Sequence, residues 1–117
     1  MLKNLETLEM VKRSAMFLLP KQPFVDWVNA TYPDDKPIAL EGYEGDVYLL
    51  PNFDEAKQME SWLKRNFDYI FTDQLDQWST DENDWPQNRT LKMFKEWFEY
   101  RMNTMVWDTL NEPIGKI

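Results

Sequence analysis

The sequence predicts a single α+β domain in which about three strands form a small sheet that helices cover on one face. Two apolar runs, each stopped by a proline, are typical of buried strands. Elsewhere apolar residues recur at the i, i+3 and i+4 spacing of amphipathic helices. The 117 residues are 43% hydrophobic, which is the size and the composition of one globular domain.

The first half of the chain is predicted as strand, helix, loop and strand. Residues 13–19 are mostly apolar and form the first strand. Pro23 suits the first turn of a helix, and apolar spacing extends that helix over residues 22–30. Residues 32–45 contain two prolines and two glycines and are predicted as a surface loop. The second strand covers residues 46–51.

The middle of the chain is predicted to hold two helices separated by a bend. Asn52 or Asp54 is a suitable N-cap, and apolar residues continue at helical spacing to about Asn66. Helical spacing resumes over residues 67–78. Pro86 then prevents a continuous helix.

The last segment allows two interpretations. Thr90 can cap a helix, and residues 98–107 alternate with a period of two while also allowing a helix. Because Thr104, Val106 and Trp107 favour strands, we predict a short helix followed by a closing strand.

The N-terminus is predicted to be an extension of the domain. Residues 1–9 are interpreted as a short amphipathic extension, and residues 10–117 as the globular domain. Met10 is an alternative natural start to Met1. The only early apolar run is too short for a signal sequence or a membrane span, so we expect a cytoplasmic protein.

Two missing residue types exclude the catalytic chemistry that depends on cysteine or histidine. The chain has no cysteine and no histidine. Thiolate nucleophiles, zinc–thiolate sites and serine–histidine or cysteine–histidine catalysis are therefore excluded. We expect no cofactor and no metal, and we lean towards a protein that is not an enzyme.

The net charge of the chain restricts the classes of molecule that it can bind. A net charge of −8 opposes binding to nucleic acid and to anionic membranes. Another protein is the expected partner, and a homodimer is left open.

The most distinctive segment is residues 78–89, here called the acidic loop, where two tryptophans and an arginine flank carboxylates. Its oxygens could hold calcium or magnesium, although the EF-hand pattern is missing. A structural corner is the alternative interpretation. The candidate residues for binding a ligand or partner are Trp78, Asp81, Asp84, Trp85 and Arg89.

Arg89 carries a planar fork that suits a carboxylate or phosphate, or an internal ion pair with Asp76, Asp81 or Asp84. Asp73 and Asp76, with Asp81, are the acids that could form a catalytic carboxylate cluster, against the alternative of a solvated face.

Lys21 lies between the first strand and the first helix and is a candidate anion-binding residue. The alternative is a rigid connection, because no glycine-rich loop accompanies it and Pro23 removes one backbone donor.

Several segments resemble a family of short uncharacterised bacterial and archaeal proteins. The resemblance spans about residues 12–114, and its most specific part is the Trp-x-x-Asp-x-x-x-Trp-Pro-x-x-Arg pattern of the acidic loop. It implies a common fold and transfers no functional residue. The segments that carry it are residues 12–15, 20–27, 47–51, 78–89, 94–98 and 111–114.

Two functions follow as hypotheses. The first is a non-enzymatic protein-binding or regulatory module that presents an aromatic and acidic surface. The alternative is a small enzyme that uses a carboxylate base in a pocket of tryptophan, aspartate and arginine side chains.

Overall fold

The fold is α+β, as predicted, and the computed structural model describes residues 4–117. Within that range it contains three α-helices, a three-stranded antiparallel sheet and a separate two-stranded ribbon. In chain order the elements are β1 (Glu9–Met10), β2 (Ser14–Pro20), α1 (Gln22–Thr31), β3 (Asp46–Leu50), α2 (Ala56–Asp76), a 3-10 helix (Glu82–Asp84), α3 (Leu91–Trp97), β4 (Phe98–Asn103) and β5 (Trp107–Asp108).

The three-stranded sheet has β2 at its centre and β3 and β4 at its edges. Phe17 of β2 lies opposite Val47 of β3 on one side and opposite Arg101 of β4 on the other. Both strands predicted from proline-terminated apolar runs are therefore present, within one residue of their predicted ends. Successive side chains alternate between the two faces of a strand, so this register decides which residues share a face.

The helices cover one face of the sheet and form the core with it. Phe71 of α2 packs edge-on against Phe98 of β4, with ring centroids 5.4 Å apart, and Phe94 of α3 lies 5.1 Å from the same ring. Such aromatic pairs add to the burial of apolar surface. The buried cluster comprises Met16, Leu18, Phe24, Val28, Leu50, Leu63, Ile70, Phe71, Leu75, Phe94 and Phe98.

The predicted bend near Asn66 is wrong, because α2 is one continuous helix over Ala56–Asp76. No proline or glycine interrupts it. Asn66 is accommodated inside the helix, where its side-chain amide donates to the carbonyl of Trp62 at 2.9 Å. A single helix lets one apolar stripe run along the whole sheet.

The N-cap of α2 also differs from the prediction. Glu55 is the cap residue, rather than Asn52 or Asp54. The Gln58 side chain accepts the backbone N–H groups of Asp54 and Glu55, at 2.9 and 3.0 Å. A glutamine at this position satisfies donors that the first turn leaves without partners.

The ambiguous C-terminal segment is a short helix followed directly by a strand, which confirms the prediction. Thr90 caps α3 by accepting the backbone N–H of Met93 at 3.1 Å. The helix ends at Trp97 and β4 begins at Phe98 without a loop. Regular pairing stops after Asn103, so the predicted closing strand is interrupted before β5.

The two chain ends pair with each other in the ribbon. Met10 of β1 lies opposite Trp107 of β5, and the Glu6 N–H donates to the carbonyl of Thr109 at 2.9 Å. Residues 1–3, which begin the predicted extension and include Met1, lie outside the described residues. None of the helices within residues 4–117 has the length and apolar content needed to cross a membrane.

Candidate functional site

The acidic loop is a folded corner whose candidate carboxylates bind other groups of the protein. Asp81 caps the 3-10 helix by accepting a backbone N–H at 3.0 Å. The Asp84 carboxylate accepts the Ser79 hydroxyl at 2.9 Å, and the Asp84 backbone carbonyl accepts the indole N–H of Trp27 at 2.9 Å. Both carboxylates therefore already have hydrogen-bond donors within the domain.

The two candidate tryptophans face the core rather than water. Trp78 and Trp85 are half-buried and pack against the central apolar cluster. The Trp85 indole N–H donates to the carbonyl of Ser79 at 2.8 Å, and the Trp78 carbonyl accepts the hydroxyl of Tyr32. This geometry matches the alternative of a structural corner better than a flat aromatic binding patch.

Arg89 is held inside the protein by four interactions. Its Nε donates to Asp68 Oδ1 at 2.8 Å and one terminal nitrogen donates to Asp68 Oδ2 at 3.2 Å, which is a bidentate pair. The other terminal nitrogen donates to the Pro86 carbonyl at 2.9 Å. The guanidinium also lies 5.9 Å from the centre of the Trp85 ring. The fork thus joins the acidic loop to α2.

The internal ion pair of Arg89 was predicted, but its partner was not. Asp76, Asp81 and Asp84 were the predicted partners, and those assignments are wrong, because the carboxylate is that of Asp68. Asp68 lies within α2, 21 residues before Arg89 in the sequence. Choosing the ion-pair partners of Arg89 by their proximity in sequence therefore gave the wrong carboxylates.

We expect Arg89→Ala to lower the free energy of unfolding by about 1–2 kcal/mol. The Asp68 side chain is 50% exposed, so the ion pair is partly screened, whereas the bond to Pro86 is lost completely. Urea unfolding of Arg89→Ala, Asp68→Ala and the double variant measures the coupling. Fully additive losses would contradict a direct pair, and Arg89→Lys should fall between parent and alanine, because lysine keeps the charge and loses the fork.

The described residues show no arrangement for a metal at the acidic loop. No group of three or more carboxylates within residues 4–117 converges as metal ligands would. Five surface grooves are lined by other parts of the chain, and none of these five includes Trp78, Asp81, Asp84, Trp85 or Arg89.

Lys21 lies against the C-terminal end of α3. Its ammonium donates to the carbonyl of Lys95 at 2.9 Å, and its backbone N–H donates to the carbonyl of Trp97 at 2.7 Å. A cation at this end of a helix satisfies carbonyls that the last turn leaves free. The predicted anion-binding residue thus has a structural role between β2 and α3.

The acids of α2 do not gather with Asp81. Asp73 accepts the hydroxyl of Tyr48, and Gln74 donates both to that hydroxyl and to Asp46 of β3, at 2.8 and 2.6 Å. Burial, followed by the hydrogen bond to Asp73, raises the pKa of the Tyr48 hydroxyl above its usual value, so it remains a donor. This network fastens β3 to α2.

The structure exposes a different surface, the outer face of the three-stranded sheet, here called the open sheet face. It consists of the outward side chains of β2 and β3, with Glu99 and Arg101 of β4 beside them. Neither charged side chain has an ion-pair partner within the described residues. Its four exposed apolar residues are Phe17 at 43%, Leu19 at 39%, Val47 at 59% and Leu49 at 47%.

Two grooves extend this face. One of about 430 Å³ runs between Phe17, Leu19 and the charged residues of β4. The other, of about 560 Å³, connects Leu49 with Met10 of the ribbon and Ile114. The open sheet face with Met10 and Ile114 leaves six apolar side chains between 39% and 62% exposed in one region of the surface. Contiguous exposed apolar surface of this kind marks interaction sites.

The outward apolar residues of the sheet were not predicted as a site, although the sequence carries a signal for them. β2 is apolar on both of its faces, since four consecutive residues are apolar: Met16, Phe17, Leu18 and Leu19. A sheet that helices cover on one face buries only every second residue of a strand. Four consecutive apolar residues in such a strand therefore indicate that its outer face is apolar as well as its inner face.

Comparison with protein-family models, with curated proteins and with solved structures gives no match to this chain. The resemblance over residues 12–114 therefore stays a prediction, and the function has to be inferred from the geometry of the chain itself.

Proposed function

We propose that this protein is a non-enzymatic protein-binding module and that it binds through the open sheet face rather than through the acidic loop. One observation carries the proposal: Phe17, Leu19, Val47 and Leu49 are apolar, lie on one face of the sheet and remain between 39% and 59% exposed. Apolar surface of this extent lowers solubility unless something covers it. The same proposal assigns the protein to the cytoplasm, since it contains no cysteine.

The electrostatic arrangement supports a specific interface. Charged groups border the apolar residues on both sides, with Glu99 and Arg101 on adjacent outward positions of β4 and four more charged residues in the groove beside Leu49. An apolar centre with a polar rim is the usual anatomy of a protein interface. The Trp, Asp and Arg side chains of the acidic loop, in contrast, already have partners inside the domain.

The test is capture of partners from a lysate of the native host with the parent chain and with Val47→Glu/Leu49→Glu as baits. Both residues lie on an edge strand and point outward, so the substitution should leave the core intact. We expect the parent to retain proteins, including untagged copies of this chain, that the double variant loses. Tyr69→Glu is the matched control, because Tyr69 is 78% exposed on α2, a helix on the covered side of the sheet.

Capture that is equal for the parent and the double variant would refute the open sheet face as the binding surface. Loss of the same proteins from Tyr69→Glu would also refute it, because charge alone would then account for the effect. Circular dichroism and thermal unfolding of each bait exclude loss through misfolding.

A further inference from the structure

We infer that the partner of the open sheet face is a second copy of this chain, related by a two-fold axis; this inference rests on the proposed function. The first argument is the local balance of charge. The chain as a whole has 21 acids and 13 bases. The two grooves of the face, however, are lined by three of each, namely Glu9, Glu99, Asp108, Arg13, Arg101 and Lys116.

This balance matters because two copies that each carry a charge of −8 repel one another. Contact through a neutral surface brings the fewest like charges together. A basic partner would instead be attracted to the acidic remainder of the protein, where the excess of carboxylates lies. Local neutrality therefore favours self-association over a partner recruited by charge.

The second argument is the order of charges on β4. Glu99 and Arg101 are two residues apart on one face of the strand, about 7 Å along its length. A two-fold axis that crosses the strands places β4 of one copy antiparallel to β4 of the other. Glu99 of each copy then lies opposite Arg101 of the other, and the contact is reciprocal, as a two-fold interface requires.

The surface area that a dimer interface needs also supports a second copy. A stable interface buries about 800 Å² on each partner. The six exposed apolar side chains of the open sheet face, Met10 and Ile114 would supply its apolar centre. The remainder corresponds to the charged rim of Glu99, Arg101 and Asn103, which line the groove beside Phe17. The same axis that pairs the charges also brings the apolar residues of β2 against their counterparts.

Sedimentation velocity of the parent from about 1 to 500 µM tests the inference, because self-association depends on concentration. We expect a monomer–dimer equilibrium. Glu99→Arg and Arg101→Glu should each raise the dimer dissociation constant by about tenfold or more, since each places like charges opposite one another twice. Glu96→Arg on α3 and Arg65→Glu on α2 are exposed residues with the same changes of charge, and they should have little effect.

Two experiments in which dimerisation is restored would identify a second copy of this chain as the partner. The double variant Glu99→Arg/Arg101→Glu exchanges the charges and should dimerise within about threefold of the parent. An equimolar mixture of the two single variants should form a heterodimer, because two basic side chains on one copy then lie opposite two acidic side chains on the other. A different protein partner would provide neither restoration.

A parent that stays monomeric throughout this range would overturn the inference, and so would a double variant as weak as the single ones. Either result, combined with captured proteins that Val47→Glu/Leu49→Glu loses, would leave the binding function standing with a different partner. Absence of both dimer and capture would overturn the function as well.

Discussion

Phe71→Ala is expected to lower the free energy of unfolding by about 3–5 kcal/mol, because it leaves a cavity at the centre of the core. Phe71 is fully buried and lies 6.0 Å from the ring of Phe94, 5.5 Å from that of Trp97 and 5.4 Å from that of Phe98. A domain of this size is stable by only about 5–15 kcal/mol in total. Urea unfolding followed by tryptophan fluorescence measures the loss.

Phe17→Ala is the matched control. It makes the same change of residue on the outer face of the sheet, opposite to the face against which Phe71 of α2 packs. Phe17 is 43% exposed, and we expect a smaller loss of about 1–2 kcal/mol, from the lower strand propensity of alanine and from partial loss of apolar burial. The comparison is made at about 1 µM protein, the lowest concentration of the sedimentation experiment, in order to minimise any contribution from dimer dissociation. Equal losses for the two variants would contradict the conclusion that helices cover only the face of Phe71.

Gly45→Ala is expected to cost about 3 kcal/mol, through two separate effects. Gly45 has a φ of +80°, which L-amino acids adopt reluctantly. A Cβ atom there would also lie 2.4 Å from the carbonyl oxygen of Leu18 and 2.6 Å from Leu19 Cδ2. The backbone of β2 cannot yield as a flexible side chain would, so the start of β3 must shift.

Gly42→Ala separates the two effects. Gly42 has nearly the same φ of +81°, but nothing lies within 4 Å of the position of its Cβ. It should lose only about 1 kcal/mol, the conformational part of the cost. Thermal unfolding of both variants gives the difference, and identical losses would show that the loop does not approach β2 closely.

Much of the fold could be predicted because its signals are local. The proline-terminated apolar runs predicted β2 and β3, and the Thr90 cap predicted the start of α3. The period of two after Phe98 correctly favoured β4 over a helix. The error lay in α2, where Asn66 suggested a break, because its compensating bond to Trp62 depends on a helix that is already formed.

The site was less predictable, because its contacts join distant parts of the chain. Arg89 binds Asp68, 21 residues earlier, although three nearer acids were available. The composition of the acidic loop indicated a binding surface. The same residue types serve equally well inside a domain, where carboxylates cap helices and aromatic side chains pack against the core. Composition cannot distinguish these roles, since both need carboxylates and aromatic side chains close together.

The sequence by itself determined the kinds of elements, their order and the exclusion of histidine- and cysteine-based chemistry, since residue types and spacing decide these properties. Only the tertiary structure decided that Trp78, Trp85 and Arg89 of the acidic loop pack against the domain and that Phe17 and Val47 point outward. The physical reason is that a strand's two faces are chemically alike until helices pack on one of them. The face left without a helix, rather than the most distinctive segment of the sequence, is therefore the surface that we propose for a partner.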